Sequence, residues 1–255
     1  MNNGLDFSVV QGTETIRITH GAFPGGYFTY RIPEAIGDVN REVWTASPRT
    51  AVHPEWKPAA GGGWYYSWER DGLLRYSALA KRNQHAVDVH MTLKNLGDKP
   101  WRDSFSFSCF NFRNMPEFAD FDGSRVFVKL DGRYAPITTI ARKDSPRPTI
   151  QMWYVAGGPR GLGFVESFQA APEVYTDGVL AARSWDGKHL IAVASDKPLF
   201  LFNNMEFSCI HCCPSFGPLE PGQEGRALHR AYVLPETRIA ELDQMLAQEL
   251  PNYAG

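Results

Sequence analysis

Three of the chain's four cysteines and one of its seven histidines fall in the run Phe207-Ser208-Cys209-Ile210-His211-Cys212-Cys213-Pro214. On an extended backbone Cys209, His211 and Cys213 point to one face, with successive members about 7 Å apart. The imidazole is the group best suited to chemistry, because its ordinary pKa of about 6.5 lets it accept or give a proton near neutral pH. A lone histidine at a strand end is also a common structural residue. Pro214 is expected to end or bend the ladder, which would set His211 near a sheet rim. The thiols read as small buried hydrophobes in reduced form. One zinc ion with bonds of about 2.0–2.3 Å bridges neighbouring donors on a strand but not all three, and a Cys209–Cys212 knuckle would need a second ligand pair. No metal site and no cofactor are therefore assigned. A metal-dependent alternative using His211, His90 and a carboxylate stays open to elemental analysis.

A histidine that moves a proton also needs a cation or donor for the charge that develops on its substrate. Arg113, just after Cys109-Phe110-Asn111-Phe112, is the candidate, with Arg75 behind it. His90 could serve as a second acid or base, or simply face solvent from its strand. Glu206 or Asp120 could orient a histidine. Seven Trp, ten Tyr and sixteen Phe supply more aromatic surface than a core of this size needs. Trp44, Trp56 and Trp64, with His53, are read as ligand-stacking and ligand-contacting groups, unless they fill an aromatic-rich β core.

The elements that must position these groups read as strands. Val87, Val89, Met91 and Leu93 alternate with Asp88, His90 and Thr92. Ser104–Phe112 alternates too, with Phe105, Phe107 and Cys109 on one face and Ser106, Ser108 and Phe110 on the other. Further strands are expected at Thr15–Thr19, Trp64–Trp68, Leu73–Leu79, Arg125–Leu130, Thr149–Val155, Gly163–Phe168, Val179–Ser184, Leu190–Ser195, Leu199–Asn203, Glu206–Cys212 and Arg226–Leu234. Turn signals such as Glu69-Arg-Asp-Gly72 and Asn95-Leu-Gly-Asp-Lys-Pro100 separate them. The segment Gly21–Gly63 shows no strong periodicity and reads as a long irregular connection carrying binding groups. The one helix is expected at 236–250, capped by Thr237, with Ile239, Leu242, Met245 and Leu246 on its packed side. The whole, 1–255, is expected to form a single all-β domain, a large antiparallel sandwich closed by that helix.

A net charge of −2 gives no electrostatic reason to expect nucleic acid or an anionic membrane surface as partner. Nothing approaches the roughly 18 apolar residues of a membrane span, and no signal peptide is visible, so a cytoplasmic location is expected. Glycine-rich Gly157–Gly163 lacks the helix and lysine of a phosphate loop, and no nucleophile elbow or carboxylate pair stands out.

The order of signals resembles that of the galactose-mutarotase-like supersandwich proteins, which include aldose epimerases and domains of polysaccharide lyases. The resemblance rests on Val87-Asp-Val-His-Met-Thr-Leu-Lys-Asn95 and its turn, then Ser108–Phe112, Cys209-Ile210-His211, Leu219-Glu-Pro-Gly-Gln223 and a last strand. It implies a sugar or oligosaccharide as partner. The family's histidine is replaced within Ser108–Phe112, and its glutamate is replaced by His211. The expected activity is therefore acid/base proton transfer on a sugar, of lyase or epimerase type, with His211, Arg113 and His90 as catalytic groups. The alternative is a non-catalytic carbohydrate-binding or accessory subunit, in which aromatics carry the affinity.

Overall fold

The computed structural model describes residues 4–38, 53–141, 147, 149–158 and 174–250, together with the backbone of 43–46. The chain opens with β1 (Leu5–Val9), β2 (Thr15–His20), β3 (Phe28–Asp38), β4 (Val43–Ala46), β5 (Lys57–Pro58) and β6 (Trp64–Arg70). Next come β7 (Leu74–Arg82), β8 (Ala86–Asn95), β9 (Trp101–Asn111), β10 (Val126–Leu130), β11 (Arg133–Pro136) and β12 (Ile150–Val155). The last strands are β13 (Tyr175–Thr176), β14 (Leu180–Arg183), β15 (Leu190–Ser195), β16 (Pro198–Asn204), β17 (Cys209–Leu219) and β18 (Glu224–Leu234). Helix α1 (Ile239–Glu249) follows them.

These strands form two nine-stranded sheets. The first runs β1-β2-β3-β9-β17-β16-β12-β13, with β4 on the edge of β3; the second runs β11-β10-β14-β15-β18-β8-β7-β6-β5. All pairings are antiparallel except β12 with β13. Strand alternation sorts side chains between faces. Val87, Val89, Met91 and Leu93 of β8 enter the core between the sheets, together with Tyr30 of β3, Phe110 of β9, and Ile210 and Cys212 of β17. The outer face of the second sheet is covered by α1 through Leu242 and Leu246, which pack on Ala181, Ala192 and Tyr232. The outer face of the first sheet carries its own buried cluster, including Phe105, Phe107, Phe200, Phe202 and Cys213. That face is not used for the helix.

The turns after β8 and β17 dock on each other through Asn95. Its fully buried amide donates to the carbonyls of Lys99 and Leu219 at 2.8 and 3.0 Å, and its oxygen accepts from the Gly97 N–H at 2.9 Å. Asx geometry of this kind lets one side chain close a turn that the backbone alone would leave unpaired.

Four expectations differ in detail. Gly21–Gly63 is not mainly irregular: it contains the eleven-residue strand β3, at the centre of the first sheet's pairing. Pro214 does not end its strand; it stands opposite Pro198, where the β16–β17 register shifts, and β17 continues to Leu219. Prolines are tolerated at such irregularities because no ladder hydrogen bond is required of them. Residues 205–207 form a 3₁₀ turn instead of the first part of that strand. Helix α1 starts at Ile239, where the Glu241 carboxylate accepts from the Arg238 N–H at 3.2 Å. The expected strand Gly163–Phe168 lies outside the described residues. No described helix is long and apolar enough to cross a membrane.

Candidate functional site

The register of the first sheet lays a row of side chains across four strands. Arg31 of β3 pairs with Cys109 of β9, Cys109 with His211 of β17, and His211 with Phe202 of β16. Directly opposed residues of an antiparallel sheet share a face. Here it is the outer one, because the alternate residues Ile210, Cys212, Phe110 and Tyr30 fill the inter-sheet core.

A bulge adds the group that the ladder alone would not place here. Between Arg31 and Ala35, β3 advances four residues while β9 advances only two, from Cys109 to Phe107. Pro33 sits inside the bulge, where its missing N–H costs no ladder bond. Bulges re-aim side chains, and this one directs Glu34 at His211: Oε2 lies 3.2 Å from Nε2. The other ring nitrogen, Nδ1, is 2.9 Å from the Phe202 carbonyl oxygen. A carbonyl only accepts, so Nδ1 carries a hydrogen and Nε2 is the variable position.

The ring is held on both sides. Phe107 packs at 4.7 Å between centroids and Phe202 meets it edge-on at 5.2 Å. His211 is 3% exposed, whereas the Glu34 and Arg31 side chains keep 27% and 29%. Solvent or ligand therefore meets Glu34 first, with the imidazole behind it. Arg31 bridges two carboxylates, Glu34 at 3.1 Å and the buried Glu14 at 2.6 Å. The Cys209 sulfur lies 4.0 Å from His211 Nε2.

Charge follows from these contacts. Burial alone would lower the His211 pKa; an ionised Cys109 sulfur together with the Glu34 carboxylate would raise it to about 10, and while Cys109 is a neutral thiol the upward pull comes from Glu34. Burial pushes the Glu34 carboxyl up, yet the hydrogen bond from His211 and the charges of His211 and Arg31 bring it below its ordinary value. The contact with Cys209, then burial, hold Cys109 as a neutral thiol, well above the usual thiol range. Near neutral pH the pair is thus carboxylate and imidazolium.

Linkage gives this pair a pH signature. A histidine whose pKa is raised on folding adds stability in full below its unfolded value of 6.5, and loses it as pH climbs towards about 10. A carboxyl whose pKa is lowered adds stability above its unfolded value of 4.5, and loses it as pH falls. The stability gap between the wild-type chain and Glu34→Gln should therefore be widest between pH 4.5 and 6.5 and shrink on the alkaline side. Urea midpoints measured across that range check it, and a gap that grows with pH would contradict the ion pair.

The other residues named from sequence are dispersed. Arg113 is exposed beyond the end of β9, its N–H bonded to Asn111. His90 is exposed on β8 of the second sheet, in a recess of about 520 Å³ with Lys81, Asp196 and Arg226. Arg75 is on β7 of the same sheet, paired with Glu69 at 2.6 Å. Trp56 is 2% exposed, bonded through its indole N–H to the Thr13 carbonyl and packed edge-on against Tyr66, so it is a core residue and offers no stacking face. Trp64 is half-buried and borders a recess of about 370 Å³ with Gly61, Gly62 and Gly63. His53 is exposed, with Nδ1 3.2 Å from the Gly12 carbonyl. The Trp44 side chain lies outside the described residues. Neither acid named to orient a histidine does so: Asp120 accepts the N–H groups of Asp122, Gly123 and Arg125, and Glu206 binds Arg147 and Thr149. Glu34, Arg31 and Glu14 escaped the sequence reading; a glutamate directly after a proline in an otherwise alternating run was the available signal.

No protein-family model matches the chain, and no match is found among curated protein sequences. Solved structures do match. A galactose mutarotase related enzyme from Lactobacillus acidophilus superposes with a TM-score of 0.54 at 12% identity, over 93% of this chain and 97% of the other. A galactose mutarotase-like protein from Clostridium acetobutylicum gives 0.52 at 5% identity, over 92% and 94%. The α-N-acetylgalactosaminidase NagBb of Bifidobacterium bifidum, solved with GalNAc, gives 0.54 at 12% identity over 97% of this chain but 38% of its own. The two sheets with their single C-terminal helix are therefore a galactose mutarotase-like supersandwich.

Proposed function

We propose that the protein is a carbohydrate-active enzyme that moves a proton on a sugar or sugar derivative, as an epimerase or lyase. The observation that carries this reading is the Glu34–His211 pair on the first sheet's outer face, with the carboxylate partly exposed and the imidazole buried behind it. Glu34 is the base: it takes a proton from the carbon beside a carbonyl or carboxylate, or from a ring hydroxyl. His211 keeps it ionised, and Arg31 steadies the negative charge that develops on the substrate oxygen. Protonation of the same carbon from its other face by water completes an epimerisation; departure of the group on the adjacent carbon with its bonding electrons, protonated by water, and formation of a double bond completes an elimination. The roles first given to His211 and Arg113 thus pass to Glu34 and Arg31, which stand in hydrogen-bond contact. That the similar structures include a galactose mutarotase related enzyme and an α-N-acetylgalactosaminidase solved with GalNAc supports the substrate class by analogy of fold. Four free, buried cysteines support a reducing, cytoplasmic setting.

A second reading, a binding or accessory subunit, draws on Trp185 and Phe121, which are 73% and 55% exposed. A panel of neutral and oxidised sugars, assayed for turnover with the wild-type chain and with Glu34→Gln, separates the two. Sugar binding without turnover, lost in Trp185→Ala and kept in Glu34→Gln, would establish the binding module and end the enzyme reading.

A further inference from the structure

The sulfurs of Cys109 and Cys209 and a ring nitrogen of His211 lie within 4.8 Å of one another, and all three residues are buried. Cys109 is opposite His211 in the β9–β17 ladder, and Cys209 is two residues along β17, opposite Asn111. Sequence spacing alone paired His211 with Cys209 or Cys213; the sheet replaces Cys213 with Cys109 from the neighbouring strand.

Two sulfurs and an imidazole nitrogen form the donor set that zinc and similar borderline-soft ions take. A tetrahedral ion with bonds of about 2.0–2.3 Å holds its donors about 3.4–3.8 Å apart, so side-chain shifts of about 1 Å close the set. The His211 Nδ1–H donates to the Phe202 carbonyl, which directs the Nε2 lone pair of the neutral ring at the sulfurs. Metal-bound histidines use this outer-shell arrangement. Glu34, 3.2 Å from Nε2, supplies a fourth donor at the exposed side. A disulfide is the competing use of two close cysteines. Cys109 and Cys209 are diagonal across the ladder, a relation that puts Cα atoms about 7–8 Å apart, beyond the usual disulfide range of about 4.4–6.8 Å.

We propose that Cys109, Cys209, His211 and Glu34 form a zinc-binding site on the outer face of the first sheet. Binding releases the two thiol protons and the Nε2 proton to solvent. Metal and proton exclude each other at Nε2, so bound zinc withdraws Glu34 and His211 from proton transfer and inhibits turnover. The inference goes beyond the proposed sugar chemistry and stands without it.

The test uses the full chain, stripped by a chelator under reducing conditions and titrated with zinc chloride and, separately, cobalt(II) chloride. One equivalent of zinc is expected, with thiolate-to-cobalt charge-transfer absorption in the cobalt form that zinc abolishes. Cys109→Ser and Cys209→Ser should each weaken binding by more than the 10–100-fold that changes around a ligand typically cost; circular dichroism reports whether they fold. No bound equivalent, a cobalt form without thiolate absorption, or folded serine variants that bind as tightly as wild type would overturn the site. Zinc bound as described, with no sugar turned over by the metal-free chain, leaves the metal site standing and removes the proton-transfer reading. Glu34-dependent turnover in a chain that binds no zinc does the reverse.

Discussion

Glu34→Gln is expected to lower turnover by about 10²–10⁴-fold, the usual worth of a positioned acid or base. The amide keeps the shape of the side chain and accepts the hydrogen bond from His211 Nε2, so the bulge and its neighbours stay in place. What it loses is the ability to take a proton. The loss should fall on kcat with little change in KM, because the amide still occupies the same space beside a bound sugar. His211→Ala acts by a different route. It removes the group that holds the Glu34 carboxyl below its ordinary pKa, while the burial that pushes that carboxyl up remains. Its acid limb should move to higher pH, and activity should recover partly as pH rises. Glu34→Gln should show no such recovery. Unchanged turnover in Glu34→Gln, on any sugar that the wild type converts, would remove the proposed base.

The contrast between these two variants also marks where the sequence was readable. The alternation in β8, β9 and β17 was plain, because each strand has one face in the inter-sheet core and one outside it. Hence the common face of Cys109 and its phenylalanines, and that of Cys209, His211 and Cys213, could be read without coordinates. Strand β3 could not. Its core positions, Phe28, Tyr30, Ile32 and Ile36, keep one parity, but the bulge turns the intervening Glu34 outward and shifts the pairing with β9. A proline and flanking glycines there resemble a loop. Glu34 meets His211 across 177 positions of sequence, and no local pattern carries such a contact. Arg113 was chosen for its nearness to Cys109 along the chain, but the chain leaves the sheet at Phe112, whose N–H bonds the Ser208 carbonyl. The surplus of aromatic residues had a plainer use than ligand stacking at Trp56, Tyr66 and Tyr76, which pack on each other between the sheets.

Helix α1 covers part of the second sheet's outer face, and a buried ion network ties the two together. Arg230 of β18 contacts Asp88 of β8 and Glu249 at the end of α1, each at 2.9 Å, with 9% and 11% exposure for the Arg230 and Asp88 side chains. Burial raises the Asp88 pKa, and Arg230, foremost among the groups that oppose the rise, limits it. Arg230→Ala leaves that carboxylate without its cation and frees the last turn of α1. It should cost about 3–5 kcal/mol of folding stability, the range for breaking a buried pair from one side. Replacing both partners, Asp88→Leu with Arg230→Met, should cost less, because the one carboxylate then left without its cation is Glu249, which keeps 25% exposure at the end of α1 and can turn to solvent. Chemical unfolding of the two single variants and the double variant measures this. Single losses that simply add in the double variant would mean that Asp88 and Arg230 act independently.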